Sequence, residues 1–95
     1  MIIGACEIEF SLPESGSLKA KRSILKSMLA RLRNTFNVAA AEVDQQDVWQ
    51  SAVIGIVTVT NSTVHANQML SNVLNWIEDN YPEALIINQS IEIIT

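Results

Sequence analysis

Val38-Ala39-Ala40-Ala41-Glu42-Val43-Asp44-Gln45-Gln46-Asp47-Val48-Trp49-Gln50 runs straight into Ser51-Ala52-Val53-Ile54-Gly55-Ile56-Val57-Thr58-Val59-Thr60. These are two strand-like runs with almost nothing between them. Residues 38–45 alternate, with Ala39, Ala41 and Val43 expected on one side and Glu42 and Asp44 on the other. Gln45-Gln46-Asp47 reads as a turn. Residues 50–60 are the most apolar stretch, and β-branched residues dominate it, as suits a central strand. Parallel pairing of the two runs would need a crossover of a dozen or more residues. Only about four are available, so the runs form an antiparallel hairpin.

The flanks complete the pattern. Residues 2–11 alternate as a strand, with Cys6, Ile8 and Phe10 inward and Glu7 and Glu9 outward. A breaker cluster, Leu12-Pro13-Glu14-Ser15-Gly16-Ser17, follows. A helix then runs from about Leu18 to Thr35, capped by Ser17 or Ser15. Ile24, Leu25, Met28, Leu29, Leu32 and Phe36 share its apolar arc, and Asn37 is expected to end it. Beyond the hairpin, Asn61-Ser62-Thr63 caps a second helix that reaches about Asn80, with Val64, Leu70, Val73, Leu74 and Ile77 as its core face. Tyr81-Pro82 stops it. Residues 84–94 give a last strand, with Leu85, Ile87, Ile91 and Ile93 expected on one side. The order β-α-β-β-α-β divides into halves 1–45 and 48–95. It predicts an α+β, ferredoxin-like sandwich: a four-stranded antiparallel sheet with both helices on one face, residues 1–95 being one domain.

Composition agrees with a single small domain. The chain has 95 residues, 48% of them hydrophobic, and a mean hydropathy of +0.22. That is enough apolar material for a core. No apolar run approaches the ~20 residues of a membrane span. The first residues lack the basic region of a signal peptide. The one cysteine, Cys6, cannot form an internal disulfide and reads as a small buried hydrophobe. A cytoplasmic protein is expected.

The charges are segregated. All six bases, Lys19, Lys21, Arg22, Lys26, Arg31 and Arg33, fall between residues 19 and 33, and all ten acids lie elsewhere. Net charge is −4, yet the first helix is strongly positive. Lys19, Arg22, Lys26 and Arg33 form a stripe on it, with Arg31 on the opposite flank. In the expected topology Lys19, Lys21 and Arg22 meet Asp44, Asp47, Glu78 and Asp79 at one end of the molecule. Both helices then carry charges opposed to their dipoles. Two readings stay open. In one, the bases pair with those acids, within the chain or across a homodimer. In the other, Ser15, Ser17, Lys19, Lys21 and Arg22, extended by Lys26 and Arg33, bind an anion such as RNA phosphate. The open face of the sheet is expected to be acidic, through Glu7, Glu9, Glu42, Asp44 and Glu92, and to lack paired aromatics. Base stacking on the sheet is therefore not expected. RNA would meet the first helix through its backbone.

The run Ser15-Gly16-Ser17-Leu18-Lys19-Ala20-Lys21-Arg22, the Phe36-Asn37 junction and the turn Glu42-Val43-Asp44-Gln45-Gln46-Asp47-Val48-Trp49 closely resemble the YlxP-like family of small bacterial proteins. The likeness covers nearly the whole chain. The family is similar in fold to ferredoxin-like domains and has no firmly assigned activity. Its genes often lie beside those of a translation initiation factor and a ribosome-binding factor. The resemblance thus implies a role near ribosomal RNA or a ribosome-associated protein.

Other chemistries fit less well. His65, the lone histidine, reads as an exposed residue in the first turn of the second helix, without a second metal-type ligand nearby. Glu42, Asp44 and Asp47 match no calcium loop, and no glycine supplies its sharp turn. Trp49 reads as a packing anchor for the hairpin or as a partner contact. Trp76 belongs to the core edge or a dimer surface. Acylphosphatases share the fold, but the loop after the first strand lacks their glycine-rich cradle, and Arg22 and Asn37 fall outside the matching positions. The expectation is a non-enzymatic binding module without cofactor or metal. The alternative is a structural homodimer that neutralises its basic helix.

Overall fold

The computed structural model describes all of residues 1–95. Its elements are β1 (Ile2–Ser11), α1 (Leu18–Thr35), β2 (Ala39–Asp44), β3 (Ser51–Thr60), α2 (Thr63–Asn80) and β4 (Leu85–Ile94). The strands order as β2-β3-β1-β4, and every neighbouring pair is antiparallel. Both helices cover one face, so the chain is the ferredoxin-like α+β sandwich expected from the hairpin.

Local chemistry sets the helix ends. Ser17 caps α1, its Oγ accepting from the Ala20 amide at 3.1 Å, and Ser62 caps α2 by accepting from His65 at 3.2 Å. Phe36, not Asn37, is the residue that leaves α1, because its extended backbone turns the chain toward β2. The Asn37 carbonyl is instead held by the Thr58 hydroxyl at 3.1 Å.

Between the layers, Cys6, Ile8 and Phe10 of β1 and Ala52, Ile54 and Ile56 of β3 meet Leu25, Met28 and Leu32 of α1 and Leu70, Val73 and Ile77 of α2. Each large side chain so buried contributes about 1.5–3 kcal/mol. Gly4 lets α2 come close: a Cβ there would sit 3.3 Å from Ala66, Leu70 and Thr58. Val64, expected in the core, is exposed, and Ala66 takes the inward position.

Two register shifts change what period-2 reading implies. On β2, Ala40 is buried on the helix side, while Ala39 and Ala41 face away from it. Glu42 therefore points toward the helices, opposite to the expectation. The shift between Glu42 and Asp44 then returns Asp44 to the open side, across from Val53. On β4, Ile86 pairs with Phe10 but Asn88 with Glu9, so one extra residue is inserted there. That bulge moves the helix-facing set from Ile86 to Ile91 and Ile93. Leu85, expected on one side with them, faces the open side across from Ser11, and Ile87 is the inserted residue.

Candidate anion-binding interface

Lys21 occupies the same helical row as Leu25, Met28 and Leu32, four, seven and eleven residues on, and that row faces the core. Its side chain is fully buried. The ammonium donates to the Gln45 carbonyl at 2.6 Å and the Val48 carbonyl at 2.7 Å. A longer contact of 3.5 Å reaches the Gln46 carbonyl. Glu42 Oε2 lies 3.0 Å away, and the ammonium is that oxygen's only polar partner. The three carbonyls take the three N–H donors of the lysine, and Glu42 Oε2, buried without a hydrogen bond of its own, balances the charge. Lys21 has nothing left for an external anion and leaves the set of anion-binding residues.

The turn that receives Lys21 is shaped for it. Gln45 has a positive φ of 60°, an unusual conformation for a residue other than glycine. Its amide donates to Asp44 Oδ1 at 2.7 Å, and its side-chain oxygen accepts from the Ser51 hydroxyl. Neighbours on both sides thus fix the backbone that presents the carbonyl. The internal charge clamp exists, but it joins Lys21 to Glu42 and to peptide carbonyls. Asp44, Asp47, Glu78 and Asp79 form no ion pair, and Lys21–Glu42 is the one salt bridge of the chain. Glu42 and Asp44 also lie on opposite sides of the sheet, which separates the acids considered for a cation.

Other members of the basic segment are partly spent. Ser15 is buried, and its hydroxyl donates to the Ser17 carbonyl at 3.2 Å, so it is not offered to solvent. Ser17 is exposed but engaged as the helix cap. Arg33 donates to the Ala40 carbonyl from Nη2 at 2.7 Å and from Nε at 3.2 Å, fastening the end of α1 to the edge strand. Arg31, on the other flank, donates to the Tyr81 hydroxyl and to Asn80 Oδ1, both at 3.1 Å. Its guanidinium also lies 5.0 Å from the Trp76 ring and 5.3 Å from that of Tyr81. Trp76 sits against Phe36 edge-on at 6.1 Å, so it is an α1–α2 packing residue.

Lys19, Arg22 and Lys26 remain. All three are exposed, and none has a hydrogen-bond or ion-pair partner within the chain. Their spacing of three and four residues puts them in one stripe about 10 Å long. Trp49 lies in the turn before β3, 45% exposed, one residue beyond the carbonyl that Lys21 holds. It is not buried as a packing anchor. Sequence reasoning missed Glu42 as the partner of Lys21. The helical spacing of Lys21 with Leu25, Met28 and Leu32 was the available signal that this lysine, unlike its neighbours, points inward.

A family model described as "Protein of unknown function (DUF503)" matches residues 3–91. The uncharacterized protein YlxP of Bacillus subtilis (strain 168) is 43% identical over 82 residues, which cover 86% of this chain and 88% of that protein. No helix is long and apolar enough to cross a membrane.

Proposed function

Because the chain belongs to the DUF503 family, which is defined by shared sequence and not by a known activity, we propose a function from the surface that this sequence builds. It is a non-enzymatic cytoplasmic docking module that contacts RNA phosphate, on the ribosome or a ribosome-associated particle, through the exposed stripe of α1. The observation that carries this reading is that Lys19, Arg22 and Lys26 stand together without a single intramolecular partner. Three unneutralised cations on one helix face attract a polyanion, and releasing its counterions drives the contact. Arg33 extends the stripe, with part of its guanidinium tied to Ala40. Trp49, held near the start of α1 through Lys21, adds a rigid aromatic contact at the same end. The open sheet face carries no aromatic ring, since Phe10 points into the core. Backbone contact through the helix therefore fits better than base stacking on the sheet.

The test is co-sedimentation with ribosomal subunits across a salt series, beside a Lys19→Ala/Arg22→Ala/Lys26→Ala variant. Binding that weakens with salt and disappears in the variant supports the reading. Absence of binding by the natural chain at low salt overturns it. Native mass measured alongside addresses the homodimer: a salt-labile dimer lost in the same variant would mean that these bases meet the acids of a second copy instead.

A further inference from the structure

Glu7 and Glu9 of β1, Asp44 at the end of β2 and Glu92 of β4 all face the uncovered side of the sheet, and no base does. Apolar side chains share that side. Val59 and Ile94 flank Ile3 from the two neighbouring strands, and Val57 lies across from Ala5. Val59 is 58% exposed, and Val57 and Ile94 are exposed as well. Glu7, Glu9 and Asp44 gather toward the hairpin end of the face, while Glu92 lies level with Val57, beside Val59 and Ile94.

A shallow trough joins the two. A depression of about 330 Å³ is bordered by Glu7, Glu9, Asp44 and Asn88. It continues past Glu7 and Ser90 into a smaller one of about 120 Å³, bordered by Ala5, Gly55, Val57 and Glu92. Ala5 keeps the floor low, while the exposed Val43 packs over Gly55.

Charge selects the occupant. A polyanion is repelled. A second copy placed face to face sets carboxylate against carboxylate. The α1 stripe of a second copy has the right sign, but its apolar row is buried in its own core, so nothing would cover Val57 and Val59. What fits is a segment with one apolar face flanked by cations.

We propose that the open face of the sheet docks a lysine- and arginine-rich amphipathic segment of a partner protein. Its apolar side chains cover Val57, Val59 and Ile94, and its bases lie against Glu7, Glu9 and Asp44. This face lies on the opposite layer from the α1 stripe, so the two can be occupied together.

The experiment titrates the isotopically labelled full chain with three synthetic peptides: a helical leucine/lysine repeat, an alanine/lysine repeat of equal charge, and a leucine/glutamate repeat. At about 0.15 M salt the leucine/lysine peptide should bind at least about tenfold more tightly than the alanine/lysine one. The leucine/glutamate peptide should not bind. Amide shifts should fall on β1, β3 and β4. Affinity should drop about tenfold in Glu7→Gln/Glu9→Gln/Asp44→Asn, and should also weaken in Val59→Ser, at an exposed position that does not endanger the fold. Equal binding of the two lysine peptides, shifts confined to α1, or undiminished binding by the charge variant overturns the proposal. So does a native dimer with protected open-face amides, which would make a second copy the occupant.

Discussion

Lys21 and Glu42 form the one ion pair of the chain, and the lysine side chain is fully buried. Replacing Lys21 with methionine keeps the apolar stem but strands the Glu42 carboxylate and leaves two short carbonyl contacts unmade. A loss of about 3 kcal/mol is expected, measured by urea unfolding. Adding Glu42→Leu should recover much of it, because an apolar pair of similar size leaves no orphaned charge. Recovery of nothing would mean that the carbonyl bonds, and not the ion pair, dominate. At Cys6, burial first and the nearby Glu7 carboxylate second push the thiol above its ordinary value. The folded state thus keeps this proton at a pH where the unfolded chain has lost it. Its contribution to stability is complete below the ordinary cysteine value and falls away as pH climbs past it. Thiol reagents should label Cys6 of the native protein slowly at neutral pH and quickly after unfolding. At Gly4, substitution by valine would push α2 away from the sheet and cost about 1–3 kcal/mol.

At the scale of elements, two side chains fasten the β2–β3 hairpin to α1, Arg33 at Ala40 and Lys21 at the turn. Native-state hydrogen exchange of Lys21→Met should therefore accelerate first at residues 45–48, ahead of the β1–β3 ladder. Uniform acceleration would show that the clamp supports the whole fold and not the turn alone. The two helices are joined differently, through Arg31, Trp76, Tyr81 and Ser27, whose hydroxyl lies 2.7 Å from that of Tyr81. Arg31→Ala should cost about 1 kcal/mol, the size of a partly exposed cation–π contact together with weak hydrogen bonds. If the α1 stripe docks on RNA as proposed, the same variant should bind it undiminished, since this flank faces α2. The strands show where element-level reading goes astray. Alternation gave β1 correctly, because β1 runs without interruption between β3 and β4. It went astray on the two edge strands because each carries a bulge: on β4 the inserted residue parts Leu85 from Ile91 and Ile93, and on β2 it sets Glu42 and Asp44, read as one face, on opposite sides of the sheet.

Across the whole molecule, charge is distributed as a dipole between layers. The three free cations lie on α1, and the open sheet face has only carboxylates. If the α1 stripe docks on RNA, three phosphates are contacted. The logarithm of affinity should then fall with the logarithm of salt at a slope of roughly −2 to −3. A slope near zero for the natural chain would remove phosphate contact as the driving force. The acidic face orients such a complex by repelling the same polyanion.

The hairpin spacing between Asp44 and Ser51, the caps at Ser17 and Ser62 and the β-branched run of β3 determined the fold and its element order by themselves. Each is a local rule: a short connection forbids a crossover, a hydroxyl satisfies an amide three residues on, and branched side chains suit a pleated strand. The clustering of all six bases on one helix was equally plain in the sequence. Which of them meet solvent was legible only in part: the spacing of Lys21 with Leu25, Met28 and Leu32 marks it as inward, but not what would receive its charge. Lys21 and Arg22 are adjacent and equally basic, yet one is sealed under the hairpin and the other is free. That difference depends on where Gln45, Val48 and Glu42, more than twenty residues away, come to rest against α1. Only the tertiary structure decides it, because burial of a charge is settled by partners that the chain brings together through folding.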